Sequence, residues 1–567
     1  MPQPCPLTQT PAADLNWSEA EAPVATTFGD VYFSTDGGLE ESRVVFLSGC
    51  GLPEAWESKP VFTIAELGFG SGLNFLAAWQ MWNRTKSPSQ RLHFVSVEKF
   101  PFDKVQLERA LKAWSDLTPY SERLIAAWPG RVRGIHRLEF GSITLTLIHD
   151  DVINALEQTD GLKANAWFLD GFNPSGNPMM WSSDVMYAIA GQSAAGAKLA
   201  TFSVAGAVRR ALGDAGFIVK KMPGFGKKRH RLEAELSPDY PVASTTAHPP
   251  IKKALIVGAG IAGRSLARAL KTRGIPFQII DDRNHPAASG NPLALVKPRF
   301  DLQDRPESRF FLSAYLHALR SYPETAVLER GVTQLPKLQK DKARFEKLVL
   351  QAALGENHMF LADGALEIES ALVIDPSRIF SDVEVLDKSY DEATAKSQYS
   401  HVFLAAGYGL KSLAPELHLR LSRGQLSWSE PVSEKPLAYG GYVANIDGAA
   451  LVGATHDRLD DRDPFALRAE DDARNLAALA EVLNKPVAPL DRPSRASVRV
   501  TSRDTLPILA NLSTDPDCAI WAITGLGSRG FTFAPLLAEA LVAHLCNEVG
   551  PLDRQVRALF EARTRYE

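Results

Sequence analysis

Val61-Phe62-Thr63-Ile64-Ala65-Glu66-Leu67-Gly68-Phe69-Gly70-Ser71-Gly72 decides the fold of the first half of this chain. The apolar run up to Leu67 reads as a buried strand, and Asn74 to Trp82 as the helix that follows. Glycines between a strand and a helix let the backbone turn sharply and approach a ligand closely. A second loop of a different kind, Val257-Gly258-Ala259-Gly260-Ile261-Ala262-Gly263, joins a strand at 254–257 to a helix at 262–272. Two unlike nucleotide loops in one chain predict two cofactors and two chemical steps.

Outward from the first loop, short apolar strands are predicted at 93–98, 143–148 and 166–169, each ending at acidic residues. From the second loop, a strand at 277–281 completes a βαβ unit. Such alternation predicts an α/β fold with a parallel, doubly wound sheet in each half. The middle of the second half, about 300–500, is expected to form a mixed-sheet subdomain facing the substrate. At 567 residues the chain is too long for one core. The expected domains are 1–236 and 251–567, joined by a linker at 237–250 rich in proline and small polar residues, which favour extended, unpacked backbone.

Bulk properties exclude several classes. A net charge of −4 gives no overall attraction to polyanions, so any nucleic-acid contact must come from a local patch. The cysteines, Cys5, Cys50, Cys518 and Cys546, form no CxxC pair and no metal-ligand spacing. That argues against a disulfide framework and against a metal site, and for a reducing compartment. No signal peptide is visible at residues 1–6 and no apolar run reaches the length of a membrane span, so a cytoplasmic location is expected.

The first loop, Glu-x-Gly-x-Gly-x-Gly with an acid at the next strand end, resembles class I S-adenosylmethionine-dependent methyltransferases. Their ligand is a nucleoside without phosphates, and the loop has no Lys-Ser/Thr for holding phosphate. The candidate cofactor residues are Glu66, Gly68, Gly70 and Gly72, Glu98 for the ribose hydroxyls, and Asp150 and Asp151 near the adenine. Asp170-Gly171-Phe172-Asn173-Pro174 is similar to the acid/aromatic/proline segment of amine-directed methyltransferases. An amine attacks a sulfonium methyl only with a free lone pair, and a carboxylate can hold the amine hydrogens and aim that pair. Asp170 is therefore the candidate catalytic residue, with Phe172 (able to stack on a base), Asn173 and Pro174 against the substrate. An aspartate in such a turn more commonly just caps it.

Gly258-x-Gly260-x-x-Gly263, with Asp281 at the end of the next strand, is the dinucleotide fingerprint: pyrophosphate on the helix N-terminus, acid on the ribose. It does not separate NAD from FAD. Ala406-Gly407 resembles the second nucleotide-contacting strand of flavoproteins, and Gly527, Arg529 and Gly530, before a helix predicted from Pro535, resemble their C-terminal flavin segment. Ser289, Gly290 and Asn291 match the amino-acid-oxidase-like branch, as does Arg423-Gly424-Gln425, with Gln425 and Arg503 expected near the substrate. In that branch an arginine at Arg499 clamps the substrate carboxylate, as a bidentate guanidinium can. A structural ion pair is the commoner fate of a lone arginine. This chemistry requires no metal.

Together, the runs at 66–76, 169–174, 177–181, 288–291, 423–425, 452–455 and 525–530 resemble the family of bifunctional tRNA 5-methylaminomethyl-2-thiouridine biosynthesis proteins, MnmC. The resemblance covers about residue 15 to the C-terminus. It implies an N-terminal Rossmann-like methyltransferase using S-adenosyl-L-methionine and a C-terminal FAD-binding Rossmann domain with an amino-acid-oxidase-like substrate subdomain. The implied substrate is the wobble uridine of tRNA: the FAD half removes a carboxymethyl group and the methyltransferase half methylates the exposed amine. The chain departs from the pattern at 293–298 and at His456, and is somewhat short. Lys220-Lys221 and Lys227-Lys228-Arg229-His230-Arg231 are the candidate tRNA contact, against the usual fate of a solvated basic turn. Two other readings stand beside this one: an amino-acid oxidase fused to a small-molecule N-methyltransferase, and a non-catalytic RNA-binding module.

Overall fold

An apolar run buried without interruption from Ile64 to Leu67 makes Val61–Leu67 a central strand, covered on both faces, of an eight-stranded sheet in the computed structural model. The structure describes residues 7–561 except 20, 34–36, 227, 243–247, 356–357, 380–381 and 514. The chain divides into two compact units: Thr8–His248 with Asn547–Arg554, and Pro249–Cys546 with the described residues from Gln555 onward.

In the first unit the strand order is Phe217–Pro223, His230–Leu236, Ser193–Thr201, Ala164–Leu169, Val61–Leu67, Arg91–Glu98, Ile143–His149, Gly134–Phe140. The five central strands run parallel, and the outer ones antiparallel. The expectation of a wholly parallel sheet is thus corrected at both edges. Gly141-Ser142 is too short to carry a crossover, so Gly134–Phe140 and Ile143–His149 pair as a hairpin. Trp56, Phe75, Trp79, Trp82 and Phe168 fill one face of the sheet, and Trp167, Val185, Ile189 and Leu212 the other.

Ser237–Tyr240, the start of the expected linker, is folded rather than extended. The Ser237 N–H donates to Gly216 O at 2.9 Å, and the Tyr240 ring occupies the space a side chain at position 216 would need. Residues 243–247 of that linker, and Cys5, lie outside the described residues. Cys50, Cys518 and Cys546 are free thiols.

The Asn547–Arg554 segment completes the first unit. Val549 enters its core. The Glu548 carboxylate lies 3.9 Å from Arg91, 3.7 Å from His93 and 3.9 Å from Arg137, with only 4% of its side chain exposed.

The second unit holds a six-stranded sheet in the order Val385–Asp387, Phe277–Asp281, Ala254–Val257, His401–Leu404, Ala519–Thr524, Ile508–Asn511, parallel except for the last strand. A ten-stranded mixed sheet is built from strands within 294–501, the stretch where a mixed-sheet subdomain is expected. The helix predicted from Pro535 begins at Gly530 and runs to Leu545. Proline is tolerated there because the carbonyl its missing N–H would have satisfied, Phe531 O, instead accepts from the Tyr322 hydroxyl. Among the described residues no helix is long and apolar enough to cross a membrane.

Candidate active sites

The first site forms where Val61–Leu67, Arg91–Glu98 and Ala164–Leu169 end side by side. Gly68 has φ +92°, and a Cβ there would lie 2.0 Å from Asp170 O, so only glycine lets this loop pass under the Asp170 turn. Glu98 reaches back over the loop: Oε2 accepts from Gly70 N–H at 2.9 Å and Oε1 from Phe100 N–H at 2.8 Å.

Asn74, at the start of the following helix, ties two carboxylates together. Its Nδ2 donates to Asp170 Oδ2 at 2.7 Å and to Glu66 Oε1 at 2.9 Å. Ser96 Oγ donates to the other Glu66 oxygen at 2.7 Å. Burial pushes the Asp170 carboxyl up to about 7, against the Asn74 hydrogen bond and the Lys228 charge that pull it down. Burial also holds Glu66 well above the ordinary carboxylate range. Sequence reading passed over Asn74 because one amide in a helix carries no signature of its own.

An N-terminal segment also missed in the sequence closes over the Asp170 turn. Phe28 stacks on Phe172 with centroids 4.6 Å apart, and Tyr32 meets Phe172 edge-on at 5.1 Å. Asp30 Oδ2 accepts from Asn173 N–H at 3.1 Å, and the Asn173 side chain caps its own turn through Ser175 at 3.1 Å. Trp181 Nε1 donates to Phe172 O at 2.9 Å, which gives the Asn-Pro-Met-Met-Trp run a job as a pin. One face of Phe172 is therefore already covered, so base stacking there has to use the remaining surface.

Asp150 accepts from Arg133 at 3.0 Å and from Asn154, and Asp151 caps the helix Val152–Gln158 while pairing with Lys99 at 3.0 Å. Their carboxylates serve the scaffold at the edge of the site. In the basic stretch, Lys228 pairs with Glu41 at 2.8 Å and lies 3.9 Å over Phe202, and Arg231 pairs with Glu233 at 2.6 Å. Lys220 and Lys221 are exposed, and Lys227 lies outside the described residues.

The second site is a cavity of about 970 Å³ lined by Gly258, Gly260, Asp281, Ser289, Asn291, Ala406, Gly407, Gly527, Arg529 and Gly530 at one side and by Arg499 and Tyr442 at another. Its walls fit a dinucleotide. A Cβ at Gly263 would sit 1.9 Å from Gly258 O, so the helix packs directly on the loop. Asp281 Oδ2 accepts from Ala259 N–H at 2.7 Å, and Ser289 Oγ accepts from Ile261 N–H at 3.0 Å, which fixes the loop at the strand end. Gly290 lies beside Arg495, which donates to Asn291 Oδ1 at 2.6 Å.

Arg499 crosses above Gly424, where a Cβ would fall 2.3 Å from its Nη1; this explains the glycine of Arg-Gly-Gln. Nη1 donates to Thr455 O at 3.1 Å, and burial lowers the Arg499 pKa. Burial pushes the neighbouring Tyr442 phenol up to about 12, so it stays protonated. Lys297 and His456 also line the cavity. Lys297 donates to Gln334 Oε1 at 2.7 Å, and burial with the charges of Arg529 and Arg344 lowers it to about 8. Tyr442 and Lys297 were not singled out in the sequence, since isolated residues on strands show only alternation.

Gln425 and Arg503 do not line the cavity. Gln425 is fully buried; it donates to Asp472 Oδ1 at 2.8 Å and accepts from Arg423 Nη2 at 2.9 Å, inside a polar network under the helix Ala469–Leu483. Arg503 is exposed in the turn after Arg495–Thr501.

Fold and sites define a two-domain protein of class I methyltransferase and amino-acid-oxidase-like architecture. Residues 115–237 match the family of S-adenosyl-L-methionine-dependent methyltransferases, and residues 361–544 match the FAD-dependent oxidoreductases. A protein of Caulobacter sp. (strain K31) is 40% identical, covering 97% of each chain, and one of Maricaulis maris (strain MCS10) is 39% identical over 96% of this chain and 94% of its own. Both bear the name tRNA 5-methylaminomethyl-2-thiouridine biosynthesis bifunctional protein MnmC, and this chain belongs to that family. Among solved structures, glycine oxidase from Geobacillus kaustophilus is 14% identical with TM-score 0.41, covering 52% of this chain and 95% of its own. MnmC2 from Aquifex aeolicus is 24% identical with TM-score 0.32, covering 41% and 73%.

Proposed function

We propose that this chain carries out two consecutive modifications of the wobble uridine of tRNA. The second unit removes the carboxymethyl group of 5-carboxymethylaminomethyl-(2-thio)uridine to give 5-aminomethyl-(2-thio)uridine. The first unit methylates that amine to 5-methylaminomethyl-(2-thio)uridine. FAD, when bound, supplies the two-electron acceptor, and S-adenosyl-L-methionine the methyl group.

The observation that carries the reading is the match of each site to one substrate at successive stages. The cavity with Arg499 and Tyr442 suits a secondary amine bearing a carboxylate: the guanidinium takes the carboxylate bidentately and the phenol adds a hydrogen bond. Loss of a hydride from carbon and a proton from nitrogen leaves a C=N bond, and water then releases the primary amine and glyoxylate. Asp170, held by Asn74, suits the primary amine that results: its carboxylate takes the N–H hydrogens, orients the lone pair and accepts the proton lost on methylation.

The test is mass spectrometry of wobble nucleosides from a deletion strain complemented with variants. Arg499→Ala should leave the carboxymethylaminomethyl nucleoside, with kcat/KM for oxidation down about 100-fold. Asp170→Ala should leave the aminomethyl nucleoside, with methylation down about 100-fold or more. Unchanged wobble chemistry in the deletion strain refutes the reading.

A further inference from the structure

We propose that the helix Gln339–Gln351 is an RNA-docking rail that carries the nucleotide strand to the mouth of the flavin cavity. This rests on the tRNA reading above and extends it to a surface remote in sequence from the basic stretch at 220–231.

Its sequence, with the residues just before it, is Lys337-Leu338-Gln339-Lys340-Asp341-Lys342-Ala343-Arg344-Phe345-Glu346-Lys347. Phe345 and Leu348 are buried in a hydrophobic cluster and fix which face points inward. Lys340, Arg344 and Lys347 follow at i, i+4 and i+7, so they share one face and span about 10 Å along the axis. All three are exposed. Two acids lie on the same stretch: Asp341 Oδ2 accepts from the backbone N–H groups of Lys337 at 2.9 Å and Leu338 at 2.8 Å, and among the described residues neither Asp341 nor Glu346 forms an ion pair with these cations.

Two further observations separate this stripe from an ordinary solvated helix face. First, its cations are uncommitted. Lys337, Lys340 and Lys347 enter no ion pair among the described residues, and Arg344 donates only to a neutral carbonyl, Phe300 O, at 2.7 Å. In the 220–231 stretch, Lys228 and Arg231 are paired with Glu41 and Glu233, and among the described residues Lys220, Lys221 and Arg229 enter no ion pair. Second, the stripe leads into a site. Lys337 and Arg344 are exposed and also line the flavin cavity, which continues inward past Arg299 and Lys297. A run of free cations along a helix, ending in a positively lined cavity, matches the spaced phosphates of a polynucleotide whose one base must enter that cavity.

The test uses the full-length holoenzyme and tRNA carrying 5-carboxymethylaminomethyl-2-thiouridine, with anaerobic flavin reduction as the readout. Lys340 and Lys347 lie outside the cavity lining, so K340E/K347E alters docking alone. The expected result is a KM for tRNA raised at least 10-fold, kcat within twofold of wild type, and a slope of log KM against log salt reduced by about two, one per lost phosphate contact. K340Q/K347Q, which keeps side-chain length without charge, should show the same salt-slope loss if the reversed charges disturb folding. An unchanged KM and salt slope in both variants overturns the rail. So does binding to phosphatidylglycerol vesicles that is abolished in the variants while the KM for tRNA stays put. Wild-type flavin that tRNA fails to reduce overturns the functional reading itself, a distinct outcome.

Discussion

A carboxyl that titrates near 7 changes charge within the physiological range, and Asp170 is placed to do so. If it accepts the amine proton, only its ionised form works. Methylation by the wild type should therefore rise with pH through about 7 and level off above it. Asn74 donates to Oδ2 and stabilises the charged form. Removing that donor in Asn74→Ala should move the rise to higher pH. Single-turnover methyl transfer over a range of pH measures both profiles, and a profile that stays in place in Asn74→Ala would remove Asp170 as the titrating group. Glu66, deeper in the same chain of hydrogen bonds, stays protonated further up the scale and holds the network rather than exchanging protons with substrate.

The two nucleotide loops are built alike, with a glycine wherever backbone passes backbone. Gly68→Ala would drive a Cβ into Asp170 O, and Gly263→Ala into Gly258 O. Each replacement should cost about 1–3 kcal/mol locally and act on one cofactor alone. Gly263→Ala is expected to lose its flavin absorbance on purification while binding S-adenosylmethionine normally by calorimetry, and Gly68→Ala the reverse. Loss of both ligands in either variant would mean that the loops share a folding defect. These loops were legible in sequence because strand, glycine spacing and strand-end acid repeat over a few residues. What escaped the sequence was set by tertiary contact: Phe28 arriving on Phe172 from far upstream, the amide of Asn74 joining two carboxylates, and Lys297 entering a cavity where, among the described residues, its hydrogen-bond partner is the neutral Gln334. Gln425 shows the opposite error. A run that resembled a site strand carries a glutamine whose polar atoms are used up beneath a helix.

At the scale of the whole molecule, the boundary near residue 250 is not a clean cut, because Asn547–Arg554 belongs to the first unit. Glu548 is buried among Arg91, His93 and Arg137, and removing one partner from a buried charge cluster costs on the order of 3 kcal/mol. Glu548→Ala should lower the melting temperature of the methyltransferase unit and leave the flavin-release transition in place. Calorimetry with flavin fluorescence separates the two transitions, and a shift in flavin release alone would contradict the assignment of this segment. The same segment has a bearing on the order of synthesis. A ribosome delivers residues 8–248 well before the carboxylate and the valine that complete their core, with about three hundred residues of the other unit made in between. The methyltransferase unit is thus begun before residues 249–546 and completed after them, so its buried charges stay unpaired while that stretch is translated.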